Sequence, residues 1–170
     1  NSFNTILYSI TGKNECWCPR CAESKGEKKI IEYLKKSNYK DNRQKTFPTC
    51  KDKSKLKFDN GIINELSMDI LIEFDGIQHF EYVNYFHKNK KKYKTQIRRD
   101  IIKNKWCLEN NKILLRIAHT DIDNIEYWIN EAIKKSKNNE SCIIYSNPTL
   151  YKTNYFPSWK QFINIRTLQR

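Results

Sequence analysis

Apolar positions along this chain recur with two different periods, and the switches between them mark its elements. Over residues 24–39, Ile30, Ile31 and Leu34 form a stripe at helical spacing. Ser24-Lys25-Gly26-Glu27 has the form of a capping box at its start, so a first helix is predicted there. Residues 40–55 are polar and read as a loop around Phe47 and Pro48, with 42–47 able to pair as a short strand. Residues 56–63 alternate as a strand, 64–67 turn, and 68–74 make a compact isoleucine-rich strand broken by Asp75-Gly76. Residues 79–92 are aromatic and basic without a period and read as a mobile loop. Ile97, Ile101 and Leu108 return to helical spacing over 95–109, and Asn110-Asn111 is a stop that tolerates left-handed backbone. A strand at 112–118 follows. Ile122, Ile125, Trp128, Ile129 and Ile133 then stripe a helix over 121–135, whose basic end at Lys134 and Lys135 suits the helix dipole. Residues 142–145 add a last strand. This order implies an α/β fold, one mixed sheet flanked by helices. It divides the chain into a cysteine-containing lead-in at 1–23, a core at 24–146 and an aromatic, basic tail at 147–170.

Charge adds a partner to this picture. The chain has 170 residues, 32 Lys+Arg against 19 Asp+Glu and a net charge of +13, with a pI near 9.4. Such an excess argues for a polyanionic partner, nucleic acid first among them. No apolar run approaches a membrane span, and residues 1–10 lack the order of a secretory signal, so an intracellular protein without a membrane partner is expected. The chain begins at Asn1 and its one methionine is Met68, as expected of a fragment, a processed product or a trimmed chain. Six cysteines without a secretory context read as reduced thiols or a metal site.

The candidate chemistry lies in Met68-Asp69-Ile70-Leu71-Ile72-Glu73-Phe74-Asp75-Gly76. Period-two geometry puts Ile70, Ile72 and Phe74 on one face, and Leu71, Glu73 and Asp75 on the other. Two carboxylates side by side on an apolar strand repel unless a cation or proton holds them, and a divalent metal is the economical explanation. Asp59, brought alongside across a hairpin, supplies a third oxygen of the kind magnesium prefers. Gln78 and His79 follow, and His79 beside paired acids can act as general base for a water or steady a leaving oxygen. Asp100 is either an anchor for His79 or a surface partner of Arg99 or Lys103.

At these residues the sequence resembles a known family. Glu27, Phe58-Asp59, Ile72-Glu73-Phe74-Asp75-Gly76-Ile77-Gln78-His79, Arg99-Asp100 and Leu114-Leu115-Arg116-Ile117 resemble the PD-(D/E)XK nuclease superfamily, in its very short patch repair-like and EDxHD homing endonuclease branch. The likeness covers residues 24–135. It implies an αβββαβ core and hydrolysis of DNA phosphodiesters with Mg2+ or Mn2+, leaving a 5′-phosphate. By the same resemblance Asp59 and Glu73 match the metal-binding acids. Asp75 stands where the commoner motif has lysine, so orienting the water falls to His79 or Gln78. Glu27 matches the acid of the first helix and equally fits the capping box.

Lys90, Lys91, Lys92, Lys94, Arg98 and Arg99 form a basic run that would hold phosphates and make affinity salt-dependent. Tyr82, Tyr85, Phe86 and Tyr93 interleave with it, either to stack on bases or to form the loop's own small core. Cys18-Pro19-Arg20-Cys21 is a C-P-x-C knuckle, similar to half of a zinc ribbon, so Cys18 and Cys21 would hold a structural Zn2+ if Cys16, Cys50 or upstream residues complete the set; otherwise they are reduced thiols. The reading is therefore a magnesium-dependent DNA endonuclease, of homing or mobile-element type and able to act as a homodimer. Its rivals are a non-catalytic nucleic-acid-binding module on the same fold and a junction-resolving or RNA-directed nuclease.

Overall fold

A computed structural model describes residues 24–40, 42–63 and 68–155, with the side chains of 153–155 excepted. The Cys16, Cys18 and Cys21 cluster, and residues 156–170 of the tail, lie outside the described residues.

Ser24 opens α1 (Lys25–Lys36) with both halves of the expected capping box, its hydroxyl accepting from the Glu27 N–H. Strands β1 (Lys45–Lys51) and β2 (Lys55–Phe58) pair antiparallel as a two-stranded ribbon, where a loop is predicted for residues 40–55. The ladder is irregular between Thr46 and Lys51, the stretch that contains Pro48, which cannot donate. The strand predicted at 56–63 is cut in two at Asp59, because β2 pairs with β1 while β3 (Asn60–Ile62) pairs antiparallel with β4 (Ile70–Asp75). After β4 come a 3-10 turn (Ile77–His79), the short α2 (Asn84–His87) and the 20-residue α3 (Lys90–Glu109). The chain closes with β5 (Ile113–Ala118), a 3-10 segment (His119–Asn124), α4 (Ile125–Ser136), β6 (Cys142–Tyr145) and α5 (Pro148–Tyr155).

The loop expected at 79–92 is thus largely ordered by side-chain capping. Asn89 accepts from the Lys92 N–H at 2.9 Å and starts α3 one and a half turns earlier than the apolar stripe alone shows. His87 is buried, bonds Gln96 at 3.2 Å and stacks on Tyr82.

The main sheet runs β3-β4-β5-β6, with β4, β5 and β6 parallel and β3 antiparallel, so it is mixed and flanked by helices as expected. Each face carries its own core. Ile70, Ile72, Phe74, Ile113, Leu115 and Ile117 pack against Ile30 and Leu34 of α1 and Ile125, Ile129 and Ala132 of α4. Leu71 and Leu114 turn the other way, to Trp106 and Cys107 of α3 and to Cys50, Leu56 and Phe58 of the ribbon. A buried isoleucine such as Ile72 contributes about 2–5 kcal/mol against alanine. Gly26 lets α1 lie close on the sheet, because a Cβ there would overlap the Phe74 ring. That approach carries Glu27 to the cleft it shares with Asp59.

Candidate functional site

The period-two reading of β4 holds: Leu71 joins the α3-side core, and Glu73 and Asp75 follow it on that face at 2% and 0% exposure. Asp59 sits in the break between β2 and β3. The register Asn60↔Ile72 brings it beside β4, and its carboxylate accepts the Phe74 N–H at 2.9 Å. Burial raises the Asp59 pKa well above its ordinary value, and the neighbouring Glu73 charge raises it further. Burial also raises Glu73, with Lys103 acting against it. Lys103 reaches in from α3, its Nζ 2.7 Å from Glu73 Oε1 and 5.3 Å from the centre of the Phe58 ring. Both partners are almost wholly enclosed.

Asp75 has a different company. Arg116, fully buried on the adjacent parallel strand, donates Nε and Nη2 to the two Asp75 oxygens at 2.7 Å each. The Tyr151 hydroxyl donates to Oδ2 at 2.7 Å. Arg116 also lies 3.1 Å from Asp100 and donates to Asn104 at 3.0 Å. His79 Nδ1 sits between two acids, 3.0 Å from Asp100 and 3.1 Å from Asp75. Two anions and two cations therefore balance within one buried cluster.

The charges of this cluster set its protonation. Burial alone would depress His79, but Asp100 and Asp75 together lift it to about 9, so the ring is an imidazolium at neutral pH. Burial opposes ionisation of Asp75 and Asp100, yet Arg116 and His79 outweigh it and hold both below the usual carboxylate range. Of the two roles foreseen for His79, this favours steadying a leaving oxygen over acting as general base. A ring already protonated at neutral pH serves as a proton donor or as a fixed positive charge.

No family model matches the chain. No solved structure matches it either. Two curated viral proteins are similar over short stretches. One is an uncharacterized protein, 307L, of Invertebrate iridescent virus 6, 35% identical over 60 residues, covering 35% of this chain and 30% of that protein. The other is an uncharacterized protein, 033L, of Invertebrate iridescent virus 3, 35% identical over 49 residues, covering 29% of this chain and 25% of that protein. The chain therefore spans less than a third of the length of the curated relatives it matches.

Of the residues singled out in the sequence, the fold brings Asp59, Glu73, Asp75, His79 and Asp100 together and places Glu27 at the rim. Glu27 closes the capping box and also faces Asp59 across the cleft, so the two roles foreseen for it coexist. Gln78 is not brought in: its amide lies over Gly76 and makes no hydrogen bond to these acids. Among the described residues no group of three or more His, Cys, Asp and Glu is arranged to hold a metal ion. Asp75 in particular is sealed by Arg116, so the cation expected beside it is a guanidinium rather than a divalent metal. Asp59 and Glu73 remain, near enough for the Glu73 charge to raise the Asp59 pKa, and carboxylate oxygens are the donor type that hard cations take. Cys50, Cys107 and Cys142 are free thiols, and burial raises the pKa of Cys50 to about 11, which suits packing rather than ligation.

Lys103, Asn104 and Tyr151 were not foreseen as site residues. Lys103 and Asn104 were visible only as polar positions on a basic helix. The clue available was spacing: Asp100, Lys103 and Asn104 at i, i+3 and i+4 share one helix face. The aromatic residues of the 79–92 segment divide between the two roles foreseen. Tyr82 and Tyr93 pack on His87, and the Tyr93 hydroxyl bonds the Phe80 carbonyl at 2.9 Å, while Tyr85 and Phe86 stand out at 76% and 53% exposure.

Proposed function

We propose that the chain is a metal-dependent endonuclease hydrolysing DNA phosphodiester bonds. One observation carries the reading: Asp59 bonds the backbone of the strand that carries Glu73 and Asp75, and Asp75 with Asp100 holds the His79 ring, on a strongly basic chain. Asp59 and Glu73 would hold Mg2+ or Mn2+, which when bound polarises the phosphate and lowers the pKa of a water. The chain's own groups do the rest. Because Nδ1 is committed to Asp100 and Asp75, the proton available to substrate is on Nε2. Its transfer to the leaving 3′-oxygen as the P–O bond breaks would leave a 3′-hydroxyl and a 5′-phosphate. Arg116 keeps Asp75 and Asp100 ionised and thereby keeps the ring charged. Lys103 neutralises Glu73.

A second reading, a nucleic-acid-binding module without turnover, draws on the sealing of Asp75, which leaves two rather than three oxygens for a metal. Plasmid cleavage at low salt with Mg2+, Mn2+ or chelator separates the two. The nuclease reading expects metal-dependent nicking by the wild type, reduced by about 10²–10⁴-fold in His79→Ala and lost in Glu73→Gln. Full activity in Glu73→Gln would overturn it. Tight DNA binding with no cleavage in any metal would favour the module.

A further inference from the structure

The basic run on α3 is only partly available to a partner. Lys90, Lys91, Lys92 and Lys94 are exposed, but Arg98 Nη2 and Arg99 Nε both donate to Asp52 Oδ2, at 2.8 and 3.3 Å. Asp52 belongs to the tip of the β1–β2 ribbon, where its N–H bonds the Ser54 carbonyl. The ribbon is therefore pinned to α3 through its one tip acid, and on either side of that acid stand Lys51 and Lys53.

The ribbon itself carries a charge pattern that its pairing does not need. In β2, Lys55 and Lys57 are exposed while Leu56 and Phe58 face the α3-side core. Lys51 is paired directly with Lys55, a like-charge neighbour that costs stability in an isolated ribbon. Lys51, Lys53, Lys55 and Lys57 are all exposed, and among the described residues none of them makes a side-chain hydrogen bond or ion pair. Four uncompensated cations on a short ribbon, two of them opposed, are stabilised by an external polyanion.

Resting on the nuclease reading above, we propose that the β1–β2 ribbon is the main duplex-DNA contact, joined to α3 in one continuous phosphate-binding track. One leg follows Lys90 and Lys94, at i and i+4 on one face of α3 and about 6 Å apart along its axis, with Arg98 a turn further on as the joint held by Asp52. The other starts across Asp52 at Lys53 and runs down β2 through Lys55 and Lys57 to Asp59, about 20 Å at strand rise. The β2 leg ends at Phe58, next to Asp59, so a backbone laid along it leads to the edge of the acid cluster.

The test is binding of a fluorescent 20-base-pair duplex by anisotropy over a NaCl series, in chelator so that nothing is cut. Three proteins are compared: wild type, K51Q/K53Q/K55Q/K57Q, and K28Q/K35Q/K36Q/K137Q, which removes the same charge from the α1 and α4 side of the sheet. The ribbon variant should lose about 3–4 from the slope of log K against log salt, and the control variant less than about 1. Because relief of the Lys51–Lys55 repulsion leaves the fold intact, the ribbon variant should melt at or above the wild-type temperature. Equal slopes for the two variants, or an unchanged slope in the ribbon variant, would overturn the track. Equal binding and equal slope loss with a single strand of the same length would overturn the duplex assignment. Cleavage by Glu73→Gln reports on the nuclease reading separately: loss of cleavage there with an intact ribbon slope rejects the track alone.

Discussion

Glu73 and Asp75 lie two residues apart on the same face of one strand, yet they are held in opposite ways. Asp75 meets a guanidinium fork on the neighbouring strand, a tyrosine hydroxyl and a histidine, and is wholly buried. Glu73 meets a single ammonium at the end of a four-carbon stem from a helix. A planar fork with two parallel bonds fixes its partner's position, whereas a lysine is a point charge that swings away on its own rotamers. The difference teaches which acid is locked in place by its cation and which is held by one that can move. Asp75 helps fix the charge state of His79; Glu73 is held by a cation on a flexible stem.

Removing Arg116 should break that comparison most severely. Arg116→Met leaves Asp75 and Asp100 buried with His79 as their one remaining contact cation and should lower unfolding free energy by about 3–5 kcal/mol in urea melts. Glu73→Gln should cost less than half as much, since burial already disfavours the Glu73 charge. Equal losses in the two variants would erase the distinction. The pH profile sharpens it next. A His79 proton retained to about pH 9 rather than 6.5 adds roughly 3 kcal/mol of stability. That contribution is complete below pH 6.5 and disappears as pH rises through 9. Asp75 and Asp100, held below their ordinary range, give stability above that range that is lost as pH falls through their depressed values. Melting temperature should therefore fall between pH 6.5 and 9, and His79→Gln should flatten that limb while retaining the acid one. The nuclease reading adds that cleavage falls above about pH 9, where the ring loses the proton it donates.

Much of the fold and part of the site were legible in the sequence, and the boundary between the two is physical. The capping box at Ser24 and Glu27, the stripe of Ile125 and Ile129, and the alternation that pairs Glu73 with Asp75 are local patterns, and the structure keeps them. Asp59 was placed beside β4 because a hairpin leaves few alternatives. Lys103, Tyr151 and the pairing of Arg98 with Asp52 depend on contacts between residues 30, 76 and 46 apart in the chain. No local period encodes such partners. The same lack hid the ribbon, whose β1 reads as polar because its inward residues, Phe47 and Cys50, are covered by Trp106 of a helix far along the chain.

The smallest effect is the most specific to the comparison. If Lys103 holds Glu73 only as a removable counter-ion, Lys103→Met should preserve the fold, because the Lys103 Nζ lies over the Phe58 ring and a thioether packs well on an aromatic ring in its place. It should also remove a positive charge from beside the oxygen pair. Mn2+ titrated by calorimetry at pH 8, without DNA, should then bind about tenfold tighter than to wild type. Lys103→Arg should bind no tighter than wild type, since it keeps the charge and adds a fork like the one that seals Asp75. Tightening in both variants would mean that side-chain shape rather than charge governs the pair. No change in either would mean that Asp59 and Glu73 are held by the fold alone and that Lys103, like Arg116, is scaffold.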